Sequence, residues 1–292
     1  MIIVRLYGGM GNQMFQYALG RALALKNKTT LGLDIYDLLD RTPRQGFTFR
    51  EYDLDLFSIE AEMVSQKSLS FWHRSCGKGL AGAVLNKLRR NLFGGQGRER
   101  GFKFNPKVLD LGSGAYLDGY WQNPKYFESI AGIIRKDFTL KNPLPENIKE
   151  LKKEIESLNS VCVHVRRGDY VGNKFHDVVN REYYNQAINI LAKKINIEHI
   201  YVFSDDIDWC KENLSFSYTV TFVGKEYGGE RASGHFELMK SCKHFIIANS
   251  SFSWWTAWLA ENSEKVVIAP KVWFGDKSID TSQRIPENWI RI

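Results

Sequence analysis

The stretch VCVHVRRGD, residues 161–169, decides the fold, because a short apolar run leads directly into a charged turn. Apolar runs of the same kind recur through the second half of the chain and alternate with segments of helical spacing. Such continuous Val/Ile-rich runs predict buried strands of a parallel sheet with helices on both faces. The predicted strands are Val161–Val165, Ile200–Phe203, Val220–Val223, Phe245–Ala248 and Val266–Ile268, and the predicted helices lie at 182–195, 207–213, 236–242 and 253–260.

The first half of the chain begins with the same alternation. A strand at Ile2–Leu6, a glycine-rich turn, a helix that ends near Lys26 and a strand at Thr30–Ile35 predict a βαβ unit. A strand at 116–121 and helices at 80–93, 125–135 and 146–157 are also expected.

Length and a proline-containing linker indicate two domains. The chain has 292 residues, which suits two cores of roughly 150 residues each. Pro143 and Pro145 interrupt regular structure between the two halves. We therefore predict an α/β fold of two Rossmann-like domains, 1–142 and 146–292, which face each other across a cleft.

Polar side chains follow three of the predicted strands at their carboxyl ends, where open parallel sheets bind ligands. They are Arg166-Arg167-Gly168-Asp169, Ser204-Asp205-Asp206 and Asn249-Ser250-Ser251. Guanidinium groups hold phosphate with a rigid fork, and a helix that starts after Ser250 would offer its first amides to an anion. Together these groups predict a site for an anionic ligand with a hydrogen-bonding head group.

These residues also have structural interpretations. An arginine here could pair with Asp169, and we expect that pairing for Arg167 rather than Arg166. Serine before a helix is an ordinary N-cap. The acidic spacing from Asp206 to Asp208 resembles a metal site, but an acidic helix start explains it better, so no metal site is predicted.

The glycine-rich loop of residues 8–13 resembles half of a dinucleotide-binding fingerprint, with Asp34 about 20 residues further on. Met14 stands where a third glycine is required, so the fingerprint is incomplete. A nicotinamide-dependent oxidoreductase is therefore kept as an alternative enzyme class. The loop also suits close approach to a phosphate or a sugar.

Composition excludes several classes of protein. No run of about 18 apolar residues is present, and the apolar start is too short for a signal peptide. The four cysteines are scattered, which argues against zinc and disulfides and favours a reducing cytosol. The net charge of +7 is concentrated in 74–107, where nine Lys or Arg and one acidic residue give +8. A nucleic-acid-binding module is a second alternative, but we predict no nucleic-acid partner, because so local a patch is atypical of one.

Four motifs resemble the alpha-1,2-fucosyltransferases of glycosyltransferase family 11: GGMGNQMFQYA (8–18), HVRRGDYV (164–171), FSDD (203–206) and CKHFIIANSSFSWW (242–255). The resemblance covers almost the whole chain. It implies a GT-B fold and an inverting, metal-independent transfer of fucose from GDP-fucose to the 2-hydroxyl of a galactose unit. The HxRRxD stretch is shared with alpha-1,6- and protein O-fucosyltransferases, so another linkage is the first alternative.

The resemblance also implies a donor site. Its residues would be Gly11, Asn12, His164, Arg166, Asp205, Ser250, Ser251 and Phe252. Arg166 would hold the diphosphate, His164 would lie against the nucleoside, and the two serines would meet phosphate. Gly11 and Asn12 would approach from the N-terminal domain, which is also the expected acceptor side.

Chemistry adds a base, which must take the acceptor proton. His176 and Asp177 are the candidates, with ordinary loop hydrogen bonding as their alternative. Arg166, as a second catalytic group, would stabilise charge on the leaving GDP in place of a divalent cation.

The resemblance to bacterial members implies a cytoplasmic enzyme that acts on a beta-galactoside, for which a lipid-linked precursor of surface polysaccharide is one candidate. The segment 74–107 includes a basic, amphipathic stretch from Leu80 to Leu92. Such a stretch could contact the inner face of the membrane. We favour the alternative, in which its apolar side packs on the first domain.

Overall fold

A computed structural model describes residues 1–43, 48–65, 96–99, 101–276 and 278–292. The chain divides into two compact units, Met1–Lys141 (unit 1) and Asn142–Ile292 (unit 2). The predicted helix at 80–93 and most of the basic segment 74–107 lie outside the described residues.

In the described part of unit 1, five parallel strands form one sheet. The strands are β1 (Ile2–Arg5), β2 (Leu31–Asp34), β3 (Glu62–Met63), β4 (Gln96–Arg98) and β5 (Tyr116–Asp118). They lie in the order β3-β2-β1-β5-β4. The helices are α1 (Met10–Lys26), α2 (Tyr36–Leu39) and α3 (Ala131–Asp137). Because β1, α1 and β2 follow one another and the strands pair in parallel, the predicted βαβ unit is confirmed.

The prediction of a single helix over 125–135 is wrong. Two 3-10 turns precede α3 instead. The side chain of Asn123 accepts a hydrogen bond from the Lys125 amide at 3.0 Å, and Pro124 follows it, which fixes a tight first turn. Phe127 then has a φ of −138°, outside the helical region, so the α-helix starts only afterwards.

In the described part of unit 2, six parallel strands form a second sheet. The strands are β6 (Ser160–Val165), β7 (His199–Ser204), β8 (Val220–Phe222), β9 (His244–Ile246), β10 (Val267–Ala269) and β11 (Ile290–Arg291). They lie in the order β11-β10-β9-β6-β7-β8. The helices are α4 (Glu146–Ser157), α5 (Arg181–Ala192), α6 (Ile207–Asn213), α7 (Ser233–Ser241) and α8 (Ser251–Leu259). The five strands predicted for this half are confirmed, and the two-residue β11 adds an edge strand.

The core of unit 2 explains why its sheet could be predicted. Every residue of β6 is buried, and so are the central residues of β7. The tryptophans of α8 are also buried and pack on one another, with 5.1 Å between the ring centroids of Trp254 and Trp255. Apolar burial of this kind on both faces keeps the strands fixed and leaves their polar carboxyl ends as the groups that meet solvent.

Candidate functional site

The carboxyl end of β6 holds a guanidinium between two carboxylates. Nη2 and Nε of Arg166 lie 2.6 and 3.1 Å from Oδ1 of Asp169. Nη1 of Arg166 lies 3.0 Å from Oδ2 of Asp205, which follows β7. A guanidinium has five N–H groups. The contacts with described residues engage at most three of them, so at least two remain to bind an anion.

The register of the two central strands produces this arrangement. Val165 of β6 lies opposite Ser204 of β7, and each is the last residue of its strand. Arg166 and Asp205 therefore leave the sheet side by side. The next residues repeat the pairing, since Nε of Arg167 lies 3.0 Å from Oδ2 of Asp206.

The prediction of an ion pair between Arg167 and Asp169 is wrong. Arg167 has the structural role that we expected, but its partner is Asp206, and its guanidinium lies 3.8 Å from the ring centroid of Trp209. Asp169 pairs with Arg166 instead. Asp206 also caps α6 by accepting from the Trp209 amide at 3.3 Å, which confirms the acidic helix start.

A glycine lets Asp205 reach its position. The backbone amide of Arg167 donates to Oδ1 of Asp205 at 2.9 Å, so this carboxylate joins the β6 loop to the end of β7. A Cβ atom added to Gly168 would overlap Oδ2 of the same carboxylate. Only glycine therefore permits this approach.

The charge on Arg166 is maintained by its neighbours. Burial opposes the charge, but Asp205 and Asp169 outweigh burial and raise the pKa of Arg166 above its ordinary value. The ring of Tyr170 lies 5.5 Å from the guanidinium carbon and supports it from one side. The site thus presents a fixed cation that does not lose its proton.

His164 lies at the same end of β6, with only 6% of its surface exposed. Burial, the charge of Arg166 and His235 lower its pKa to about 3, so the ring is neutral near pH 7. Its Nδ1 is buried and has no hydrogen-bond partner among the described residues. The ring lies 6.1 Å from that of Phe252. These two rings form an uncharged, largely apolar wall, in which Nδ1 of His164 is the polar atom without a described partner.

The first turn of α8 contributes the next part of the site. Ser250 is the N-cap residue, but its side chain does not cap the helix. The alternative of ordinary serine capping is therefore wrong at this position. The amide groups at the start of α8 carry the positive end of the helix dipole, which favours an anion there.

The predicted base His176 lies in an aromatic cluster. Its ring stacks on Tyr170 at 4.7 Å between centroids and packs against Phe175 and Phe274. Burial lowers the pKa of His176, with Asp169 opposing that effect. Asp177 does not orient the ring, because its Oδ2 accepts a hydrogen bond from the Gly172 amide at 3.1 Å. His176 and the guanidinium of Arg166 thus both lie beside the ring of Tyr170. Asp177 instead stabilises its own loop.

Three residues outside the predicted set also surround this strand-end site. The side-chain amide of Asn249 donates to the carbonyls of His176 and Trp273, both at 2.9 Å, and so ties two loops to the sheet. Tyr170 donates to the carbonyl of Asn249 at 3.2 Å. Arg284 is 2% exposed and lies against Trp273. Tyr170 and Asn249 stand inside the quoted motifs, whereas no feature of the sequence marks Arg284.

In unit 1, glutamine side chains hold the glycine-rich loop. Nε2 of Gln13 donates to the carbonyls of Gly8 and Glu51 at 2.9 and 2.8 Å. Asn12 accepts from Gln122 at 2.6 Å. Gly8 has a φ of +80°, and an added Cβ would overlap the Asn12 side chain. Gly11 and Asn12 therefore sit at the start of α1 on a rigid loop, as a phosphate- or sugar-binding turn requires.

The oxidoreductase alternative needs Asp34 to reach a ribose. Asp34 is only 1% exposed. Its Oδ2 accepts from the Tyr116 hydroxyl at 2.6 Å, and its Oδ1 accepts from the Tyr36 amide at 3.2 Å. The carboxylate is thus committed inside unit 1, which argues against that alternative.

Two features are absent from the described residues. No group of three or more His, Cys, Asp or Glu side chains among them could hold a metal ion. Within the same residues, no helix has both the length and the apolar character needed to cross a membrane.

Comparison with known proteins places the chain among glycosyltransferases. The profile of glycosyl transferase family 11 matches residues 103–292. An alpha-1,2-colitosyltransferase of Escherichia coli is 34% identical, and the match covers 100% of this chain and 98% of the relative. The O-antigen biosynthesis glycosyltransferase WbnK of Escherichia coli is 32% identical over 98% of this chain and 99% of the relative.

More distant similarities extend the comparison. Galactoside alpha-(1,2)-fucosyltransferase 2 of Sus scrofa is 31% identical, but only over 49% of this chain and 45% of that protein. A solved mutant of Arabidopsis thaliana FUT1 in complex with GDP has a TM-score of 0.50 and 10% identity, and the match covers 91% of this chain and 69% of that one. At that identity the likeness bears on the fold alone, and it confirms the expected GT-B class.

Proposed function

Since the chain belongs to glycosyl transferase family 11 and is therefore a glycosyltransferase, we propose that it transfers L-fucose from GDP-fucose to the 2-hydroxyl of a galactose-containing acceptor, with inversion and without a metal. The support for the 2-linkage is that relatives with alpha-1,2 in their names match both the full chain and half of it.

One observation carries the proposal for the donor side: the guanidinium of Arg166, oriented by Asp169 and Asp205. In the transfer, the acceptor oxygen forms a bond to the anomeric carbon while the bond from that carbon to the diphosphate oxygen breaks. The electron pair goes to GDP, so negative charge grows on the diphosphate. The remaining N–H groups of Arg166 and the first amides of α8 would stabilise that charge as a fixed, pre-oriented electrostatic site.

The acceptor hydroxyl loses its proton as the new bond forms, and we assign that proton to His176. A base must be unprotonated at the working pH, and the lowered pKa of His176 favours this state. Asp177 is the weaker candidate because it already accepts a backbone hydrogen bond.

A second donor is favoured by a specific observation. The colitosyltransferase relative covers the full chain at 34% identity. Colitose is fucose without its 3-hydroxyl group, so both sugars suit the same general site. The two donors differ by one hydroxyl, and a site that hydrogen-bonds this hydroxyl would reject colitose strongly.

The deciding experiment pairs each donor with each acceptor. The full chain would be incubated with GDP-fucose or GDP-colitose and with methyl beta-galactoside, methyl beta-glucoside or methyl N-acetyl-beta-glucosaminide, and each product linkage would be determined by NMR. We expect fucose on O2 of galactose only. Transfer from GDP-colitose with a much higher kcat/KM would establish the second donor. A 6-linked product, or transfer to the other sugars alone, would contradict the proposed linkage and acceptor.

The site of action is also proposed from the basic segment 74–107, which carries a net charge of +8. We propose that the enzyme works in the cytoplasm on a lipid-linked acceptor. For the segment itself, contact with anionic lipid at the inner face of the membrane is the alternative to the packing on the first domain that we favour. Binding to vesicles that contain phosphatidylglycerol tests the contact.

A further inference from the structure

Unit 1 contains a second candidate site, at the carboxyl ends of β1, β4 and β5. A cavity of about 390 Å³ opens there. This volume lies within the range of roughly 300–1,000 Å³ that small-molecule sites occupy. Its lining includes the side chains of Arg5, Tyr7, Glu99, Phe102, Asp118 and Tyr120. None of them belongs to the donor site described above.

The cavity wall is partly aromatic. Tyr7 and Tyr120 meet edge to face with 4.6 Å between their ring centroids, and Phe102 lines the same space. All three rings are partly exposed rather than packed in the core. Burial and the neighbouring Tyr120 raise the pKa of Tyr7, so its hydroxyl stays protonated and able to donate. Aromatic rings with hydroxyl groups bind both the C–H faces and the oxygens of a sugar.

Two carboxylates in the wall are held in fixed positions. Glu99 accepts from the Tyr120 amide at 2.6 Å and from the Trp121 amide at 3.1 Å. Asp118 accepts from Nη1 of Arg5 at 3.1 Å. A carboxylate oxygen accepts more than one hydrogen bond, so the fixed carboxylate of Asp118 can also accept from the hydroxyls of a ligand.

The described residues of the wall carry no excess of positive charge. Among them, Arg5 and Arg98 provide two positive charges and Glu99 and Asp118 two negative charges, and Asp37, beside the cavity, also pairs with Arg5 at 2.7 Å. The pair of Arg5 with Asp118 is already formed in the structure as well. A wall of this kind gives no net attraction to a phosphate or a carboxylate ligand. It suits an uncharged ligand that offers many hydroxyl groups.

A glycine permits this geometry. A Cβ added to Gly119 would overlap Cβ of Glu99 and would lie 2.8 Å from the ring of Trp121. Gly119 follows β5 directly, so its lack of a side chain lets the Glu99 segment approach the end of that strand. The wall therefore depends on local backbone proximity as well as on its side chains.

We propose that this cavity binds the galactopyranose ring of the acceptor. A beta-galactoside has an apolar face, formed by the C–H groups at C3, C4 and C5, which fits an aromatic wall. Its hydroxyls on the other side fit fixed carboxylate and guanidinium groups. This inference rests on the proposed function, because it assigns a place to the sugar whose 2-hydroxyl receives the transferred group.

The test uses the full chain and the variants Phe102→Ala and Asp118→Asn, with Tyr36→Ala as the matched control. Tyr36 is an aromatic residue of the same unit that is 41% exposed and does not line the cavity. Saturation-transfer NMR with methyl beta-galactoside, without any donor, measures sugar binding directly. Steady-state kinetics then give KM separately for galactoside and for GDP-fucose, and calorimetry gives the Kd for GDP.

We expect both cavity variants to raise the galactoside KM by about tenfold or more, which corresponds to the loss of one good polar or aromatic contact. Their Kd for GDP and the KM for GDP-fucose should stay within about twofold of wild type, and the control should change neither KM. Galactoside KM values near wild type in two folded variants would overturn the assignment. An equal rise in both KM values would overturn it as well.

A second measurement covers variants that fail to fold. The wild-type protein would be photolabelled with a diazirine-bearing beta-galactoside, and the labelled peptide would be mapped. Labelling within 96–121 or 2–7, suppressed by excess galactoside, supports the cavity, and labelling confined to other peptides refutes it. Because neither NMR nor labelling needs a donor, failure of fucose transfer contradicts the proposed function without deciding this inference.

Discussion

Replacing Arg166 by lysine isolates what the guanidinium geometry contributes, because the positive charge is kept. In the structure, two nitrogens of Arg166 contact Asp169 and a third contacts Asp205. A lysine ammonium is a single point with three N–H groups. It cannot contact both carboxylates and still offer two parallel N–H groups to a phosphate.

The size of the effect follows from those contacts. Loss of one pre-oriented donor to a developing oxyanion costs about 10²–10³ in kcat, or about 2.7–4 kcal/mol. Under the proposed function, the two N–H groups that Arg166 leaves open would act on one phosphate, so we expect Arg166→Lys to lower kcat by at least roughly 10²-fold. The melting temperature should change little, since Arg166 is partly exposed and its partners stay near solvent.

The assay is the initial rate with GDP-fucose and a saturating beta-galactoside, with Arg181→Lys as the control. Arg181 is an exposed arginine at the start of α5 in the same unit. The control should retain wild-type rates. A folded Arg166→Lys enzyme that keeps half of the wild-type kcat would show that bidentate geometry at this position plays no part in the transition state.

Gly168→Ala should displace Asp205 and lower kcat/KM by roughly tenfold or more, whereas Gly132→Ala, where an added Cβ meets nothing within 4 Å, should not. Activity should survive excess EDTA, and loss that Mn²⁺ or Mg²⁺ restores would refute metal independence. His164 has a folded pKa of about 3, below the unfolded value of about 6.5. The unfolded state therefore binds more protons between these values, and stability falls as pH drops through that window. This residue should account for about 2 kcal/mol of the loss of urea-unfolding free energy between pH 7 and 5, and His164→Gln should lack that part. Changing Lys87, Arg89 and Arg90 to glutamine should weaken binding to anionic vesicles at low salt but spare activity on a water-soluble disaccharide. A wild-type protein that does not sediment with such vesicles would refute membrane contact.

The sequence predicted the sheet of unit 2 well because each central strand is a continuous apolar run. β6 and β7 begin or end within one residue of their predicted bounds, and both are buried. The strands that were missed are β3, β4 and β11, which have two, three and two residues. Strands this short carry no periodic signal. They exist because neighbouring strands supply hydrogen-bond partners, which is a property of the tertiary fold.

The partners that the two arginines have on the neighbouring strand could not be predicted from proximity in sequence. Asp169 is the acidic residue nearest to Arg167 in the sequence, and yet Arg167 pairs with Asp206. The strand register decides the pairing, because Val165 lies opposite Ser204 and the residues that follow keep the same offset. Arg166 thus meets Asp205, and Arg167 meets Asp206. Motifs identify the residue types of a strand-end site, but the alignment of two strands assigns them to one another.

The charge balance at this strand end limits how the proposed diphosphate would be held there. Arg166 and Arg167 face Asp169, Asp205 and Asp206, which leaves a net charge of −1 among the five residues, and Arg284 near His176 brings the sum only to zero. Net charge therefore does not attract a diphosphate here. A diphosphate would instead be held by oriented hydrogen bonds. Their donors would be two N–H groups of the Arg166 guanidinium, whose plane the carboxylates fix, and the amides at the start of α8. The carboxylates reduce the affinity for any anion, but they also remove the cost of orienting the guanidinium as charge grows on the leaving group. A site of this kind favours the transition state over the bound nucleotide, which is the difference that accelerates a reaction.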